Sequence, residues 1–223
     1  MDENILKYYS RKDVQKKILE SAKDREVGVK YGKDGGFGKR PDILQFENDV
    51  LELVKNGATS FHISEEHWKN PLLLETGMNK NKLDDLRSGW DCILDLDTKF
   101  LEYSKLTAEL LVEALKFHDI KNIGVKFSGG SGFHIGIPFE SFPKSVDGKE
   151  TKDLFPEGVR VIAEYLKNMI KDPLRNKILN LSNVDEIAKS IGKKKEELLE
   201  KNVFNPFSGV GIDPILISSR HLY

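Results

Sequence analysis

Apolar residues recur near a 3.6-residue period across 4–23, where Ile5, Leu6, Tyr9, Val14, Ile18 and Leu19 share one side, and this predicts a helix. Residues 43–56 repeat the pattern, as do 104–118, 157–171, 184–190 and 193–200. Strand-like segments are Arg25–Val29, Ser60–Ile63 and, most clearly, Trp90–Asp97. In the last of these, Cys92, Ile93 and Leu94 lead into two acids separated by Leu96. Ile123–Phe127, His134–Ile137, Val210–Asp213 and Ile215–Ile217 add further strands. Glycines 32, 35, 36 and 38 make a turn closed by Arg40-Pro41. Residues 64–88 are polar, carry Asn70-Pro71, and read as loop with at most a turn of helix. The order predicts a mixed α/β (α+β) chain with a mostly antiparallel sheet flanked by helices.

The 223 residues suit one domain over 1–223, with a helical insertion at about 145–205. With 39% hydrophobic and 32% charged residues, the chain can build a core and is not disordered throughout. Thirty-five Lys and Arg against 36 Asp and Glu leave a net charge of −1, so no global field draws in nucleic acid and any such binding needs a local patch. The single cysteine, Cys92, excludes an internal disulfide and any zinc site built on two or more cysteines, so no structural zinc is expected. No apolar leader or membrane-length apolar run is present, and the expectation is a protein that is not secreted and has no membrane partner.

The chemistry begins at Asp95-Leu96-Asp97. Residues two apart on a strand face the same side, so two carboxylates stand together and repel each other unless a divalent cation neutralises them. Hard oxygen donors favour Mg²⁺ or Mn²⁺. A solvated strand end is the bland alternative. Ser128-Gly129-Gly130-Ser131-Gly132-Phe133-His134 then joins two apolar strands. Its glycines permit positive φ and close backbone approach, and successive N–H groups can cradle phosphate oxygens. An ordinary hairpin with a satisfied core histidine is the alternative here. Asp213 ends a third apolar strand before Pro214 and alone reads as a turn aspartate. Together, three carboxylates and a phosphate cradle describe a two-metal nucleotidyl-transfer site.

Leu94-Asp95-Leu96-Asp97, Lys126-Phe127-Ser128-Gly129-Gly130-Ser131-Gly132-Phe133-His134-Ile135 and Gly211-Ile212-Asp213 resemble, in order and spacing, the three signature motifs of archaeo-eukaryotic primases. The likeness is greatest to the catalytic small subunit of DNA primase. Tyr8-Tyr9, the Arg25-Glu26 strand, Arg40 and Ser219-Arg220-His221-Leu222 also resemble segments of that subunit. The resemblance implies the primase fold and template-directed primer synthesis on single-stranded DNA from nucleoside triphosphates. It implies Asp95, Asp97 and Asp213 as catalytic metal ligands for Mg²⁺ or Mn²⁺. It implies Ser128, Gly129, Gly130, Ser131, Gly132 and His134, with Lys126, Arg25 and Arg40, as nucleotide contacts. A primase large subunit would be the partner, and the setting cytoplasmic and nucleoid-associated, or nuclear in a eukaryote.

Three departures stand out. Family members often carry Arg or Lys where this chain has Ser131, and Lys126 is the candidate replacement. The zinc-binding insertion between the second and third motifs is absent. The basic-Pro-His segment that follows the third acid in the family is missing at Tyr223, which reads as a C-terminal truncation. The rival enzyme is a primase-polymerase or an end-joining polymerase similar to the polymerase domain of ligase D. The rival from another class is a non-catalytic primase accessory subunit. His62 and His67, flanking Ser64-Glu65-Glu66, read as surface, as does Lys193-Lys194-Lys195.

Overall fold

The apolar stripe of 4–23 folds as two helices, α1 (Glu3–Tyr9) and α2 (Lys12–Ala22). Between them the Ser10 hydroxyl turns back onto the Leu6 carbonyl at 2.6 Å, and buried Gln15 caps the Tyr9 carbonyl at 2.8 Å. Such local side-chain bonds offer the backbone an alternative to continuing the helix. The computed structural model describes residues 3–32, 35–98, 100–208, 210–212 and 220–223, the side chains of Asp97 and 210–212 apart. These residues group into two units.

The first unit holds residues up to Asp91, together with 147–153 and the segment ending at Tyr223. Its first sheet pairs β1 (Val27–Tyr31) with β2 (Ala58–Ile63), antiparallel, Val27 opposite Ile63. Val27 and Val29 form a core with Ala22 of α2 and with Val50 and Val54 of α3 (Glu47–Lys55). The β1 strand starts two residues later than the sequence suggests: the Arg25 N–H donates to the Ala22 carbonyl and the Glu26 N–H to the Ser64 hydroxyl, outside the strand ladder. Residues 64–88 are the main correction to the loop reading. They contain β3 (Glu66–Trp68), α4 (Lys80–Leu86) and the first half of β4 (Arg87–Trp90), with β3 and β4 paired. Trp68 and Trp90 are fully buried here, and so are Glu65 and Glu66, while His62 and His67, expected at the surface, are half-buried. The last residues close this unit: Tyr223 exchanges two backbone hydrogen bonds with Ile63, at 3.0 and 3.1 Å.

The second unit is built on a four-stranded sheet. At its centre β5 (Cys92–Thr98) pairs antiparallel with β7 (Phe133–Ile137) on one side and with the strand Val210–Ile212 on the other. The edge strand β6 (Gly124–Phe127) pairs with β7. Cys92, Leu94 and Leu96 lie on one sheet face with Ile135 and Ile137, all buried. That face is covered by α5 (Leu101–Phe117) and α6 (Glu157–Leu181), which also pack together. The α6 helix runs ten residues beyond the expected end, through Pro173, because Leu174 and Ile178 continue the buried stripe of Val159, Ala163, Leu166 and Ile170. Helix α7 (Val184–Ile191) follows as expected, but 193–200 does not form an α-helix. It is a 3₁₀ turn, Lys195–Leu198, leading into a two-residue hairpin strand. Lys201 and Asn202 make that turn at φ 51° and 64°, the backbone of a tight hairpin. Residues 215–217, expected as strand, lie outside the described residues.

Candidate active site on the open face of the four-stranded sheet

Strand alternation sends Asp95 to the face opposite Leu94 and Leu96, away from the two helices. Register fixes its neighbours. Asp95 stands directly opposite His134 on β7, and His134 directly opposite Lys126 on β6. A carboxylate, an imidazole and an ammonium thus form one row across three strands. His134 Nε2 lies 3.3 Å from Asp95 Oδ1. The Asp95 side chain is about one-third exposed, so its second oxygen can meet a ligand. The next row down is Ile93, Gly136 and Gly124, which leaves the sheet surface low beside the charged row.

The glycine-rich turn caps this face. Ser128 N–H donates to the Gly132 carbonyl at 3.0 Å and closes the turn. Gly129 has φ +94°, a conformation that glycine adopts without strain. A Cβ on Gly132 would stand 2.0 Å from the Leu96 carbonyl oxygen, so only glycine lets the turn lie this close to β5. Gly129 and Gly130 have open space around them, as a cradle for an anion requires. Ser131 donates its hydroxyl to the Thr98 carbonyl, and Ser104 of α5 donates to the Ser131 carbonyl at 2.5 Å. Ser131 therefore faces the end of β5 with its one hydroxyl hydrogen.

Among the three acids, Asp97 has its backbone in β5 opposite Gly211, while its side chain is outside the described residues. Asp213 follows Ile212, which pairs with Leu96, and itself lies outside the described residues. Among the described residues no group of three or more His, Cys, Asp or Glu side chains gathers in a way that could hold a metal. The donor that is described, Asp95, is a hard oxygen ligand on an open face, which fits Mg²⁺ or Mn²⁺. Cys92 is buried on the opposite face and cannot contribute.

Arg25 and Arg40 belong to the first unit, and both are engaged there. Arg25 donates to the Ser64 and Glu65 carbonyls at 2.7 and 3.1 Å and to Asp91 at 2.5 Å. Arg40 donates to Glu26 at 3.0 Å and to the Arg220 carbonyl at 2.8 Å. Arg220 also grips Glu26, at 2.7 and 3.0 Å, and Arg87 pairs with Glu66 at 2.7 Å. His67 lies 3.1 Å from Asp91. Burial opposes the charge on Glu26, but hydrogen bonds from Arg220 and Arg40 hold its carboxyl below the usual range. Asp91 is likewise desolvated and is held low by His67 and Arg25. Glu65 is the exception. It is 1% exposed, and neither carboxyl oxygen has a hydrogen-bond partner among the described residues. Burial, with Glu66 and Asp91 adding repulsion against a weaker pull from Arg25, pushes it up to about 9. Sequence reasoning missed this network. Its one visible signal was that the acids of 64–91 are matched by Arg25 and Arg87 beside two tryptophans.

Comparison with known proteins bears on the fold. No protein-family model matches the chain. The uncharacterized protein MJECS07 of Methanocaldococcus jannaschii is 33% identical over 159 residues, covering 66% of this chain and 34% of that protein. The chain thus spans about a third of the length of the curated relative it matches. The polymerase domain of Mycobacterium tuberculosis Ligase D, solved in complex with DNA, superposes with a TM-score of 0.50 at 15% identity. The match covers 75% of this chain and 62% of that one. The chain therefore has a polymerase-domain fold of the kind the resemblance implied, and the mixed α/β class with antiparallel sheets is borne out. Among the described residues no helix is long and apolar enough to cross a membrane.

Proposed function

We propose that the chain is the catalytic domain of a DNA primase, joining nucleotides on a single-stranded template into short primers. The observation that carries this is the row Asp95–His134–Lys126 lying beside a glycine-rich anion cradle, in a polymerase-type fold. The reaction forms the O3′–Pα bond between a terminal hydroxyl and a nucleoside triphosphate and releases pyrophosphate. Asp95, Asp97 and Asp213 would hold Mg²⁺ or Mn²⁺, which supplies charge neutralisation and a more acidic hydroxyl when bound. Lys126 would supply positive charge and His134 a ring N–H donor in the row with Asp95, where phosphate oxygens would lie. The open N–H groups of the turn add uncharged donors to the same oxygens. With a net charge of −1, the chain would rely on a partner, in this reading a large subunit, for much of its grip on DNA.

The Ligase D neighbour favours a second reading, an end-joining or primase-polymerase activity on the same site. One assay separates the two. The protein is incubated with Mn²⁺, nucleoside triphosphates and either an unprimed single strand or a primed duplex end. Products from the unprimed strand support primase, and products from the primed end alone support end-joining polymerase. Asp95→Asn should abolish either. No product in either arm, with nucleotide binding intact, would leave the non-catalytic accessory subunit.

A further inference from the structure

The glycine-rich turn is fastened to the acidic strand by a contact that the motif alone does not reveal. Ser131 donates to the carbonyl of Thr98, the last residue of β5. Gly132 packs against the carbonyl of Leu96, where any side chain would collide. The two contacts bracket Asp97. From the far side, fully buried Ser104 at the start of α5 holds the Ser131 carbonyl at 2.5 Å. The Thr98 hydroxyl accepts the Phe100 N–H at 2.8 Å and so turns the chain from β5 into α5. Three hydroxyl residues thereby join turn, strand end and helix start.

We propose that Ser131 is a positioning residue: by latching the turn to the Thr98 carbonyl it sets the height of the anion cradle over the strand that carries Asp95 and Asp97. The proposal rests on reading the turn as a phosphate site. A hydroxyl whose hydrogen is committed to Thr98 does not donate to phosphate. The residue therefore acts through the backbone of Gly129 and Gly130, which it holds open to solvent. A long cation at this position could not make the same short contact, so the chain anchors its cradle here and leaves Lys126 to supply charge.

The test compares wild type with Ser131→Ala and Ser131→Thr. Amide hydrogen exchange at 129–132 reads the latch directly. Ser131→Ala should raise exchange there about tenfold, and Ser131→Thr should not, the expected size for loss of one net hydrogen bond. Metal-free ATP, titrated calorimetrically in a chelator, reads the cradle. Its affinity should fall about five- to tenfold in Ser131→Ala and recover in Ser131→Thr. The rise in melting temperature on adding Mn²⁺ reads the acids and should be equal in all three proteins. A variant that is merely unstable would lose both signals together, and that result overturns the proposal. So does unchanged ATP affinity in Ser131→Ala, or failure of threonine to restore it. If wild type binds no ATP at all, the phosphate reading fails. The latch is then judged by exchange alone, where equal rates in wild type and Ser131→Ala overturn it.

Discussion

Replacing Glu65 with glutamine should change the shape of the stability–pH profile more than any surface substitution. Glu65 is buried, unpartnered among the described residues and pushed up to about 9. A free glutamate in the unfolded chain titrates near 4.5. Between those values the folded state keeps a proton that the unfolded state releases. The unfolding free energy then falls as pH rises, by about 1.4 kcal/mol per pH unit from this group. At pH 7 the accumulated loss is about 3 kcal/mol. Glutamine has the same size and cannot ionise, so Glu65→Gln removes the slope. The variant should match wild type near pH 4.5, apart from a constant offset for the buried amide, and exceed it by about 3 kcal/mol at pH 7. The assay is urea denaturation at pH 5, 6, 7 and 8, followed by tryptophan fluorescence. The chain has two tryptophans, Trp68 and Trp90, both buried in the first unit beside Glu65, so the signal reports that unit. Parallel profiles for the two proteins would refute the reasoning and mean that Glu65 is ionised, or hydrated, in the folded protein.

Arg87→Ala should destabilise the first unit by about 3–5 kcal/mol, because it removes the guanidinium that faces the buried Glu66 carboxylate; Arg87→Met paired with Glu66→Leu should recover most of that loss in the same urea assay. Gly132→Ala should lower the melting temperature and cost about 1–3 kcal/mol, since its methyl meets backbone rather than a movable side chain; an unchanged melt would contradict the close approach to β5. Glu26 and Asp91 have depressed folded pKa values, so the stability they contribute is present above the carboxylate range and is lost as pH falls through their folded values. Acid unfolding of the first unit should accordingly start at higher pH in Arg40→Ala, measured by the same fluorescence signal.

The open-face row was legible because it depends on local pattern. Alternation in Cys92–Asp97 and in the strand through His134 sets which side each residue faces, and a short glycine turn between two strands implies a hairpin. What failed were places where polarity misleads. Residues 64–88 looked like loop because Glu65, Glu66 and Arg87 are ionisable, yet Glu66 and Arg87 are buried as an ion pair, the Arg220 N–H closes on Glu66, and Glu65 is buried with its carboxyl pushed up to about 9. Pairing of this kind spans more than a hundred residues and leaves no periodic trace. Pro173 misled in the opposite sense. A proline inside a helix costs about 3 kcal/mol, but the apolar stripe of α6 continues past it and its burial outweighs that cost. The role of Ser131 was hidden for a third reason, since a hydroxyl's partner is decided by how closely two backbones approach.

The closure of the first unit by residues 220–223 carries a consequence for how the protein is made. Arg220 reaches Glu26 across 194 positions of sequence. During synthesis Glu26 and Glu66 leave the ribosome long before that arginine, and the edge of β2 waits for Tyr223 to pair with it. The free-energy cost of so long a closure is modest, about 0.6 kcal/mol for each doubling of length. Its cost in time is greater, because a nascent chain holds an unfinished sheet edge and under-compensated buried acids until residues 220–223 have been made and fold back. Through that interval the free edge of β2 is the segment most exposed to mispairing with other chains.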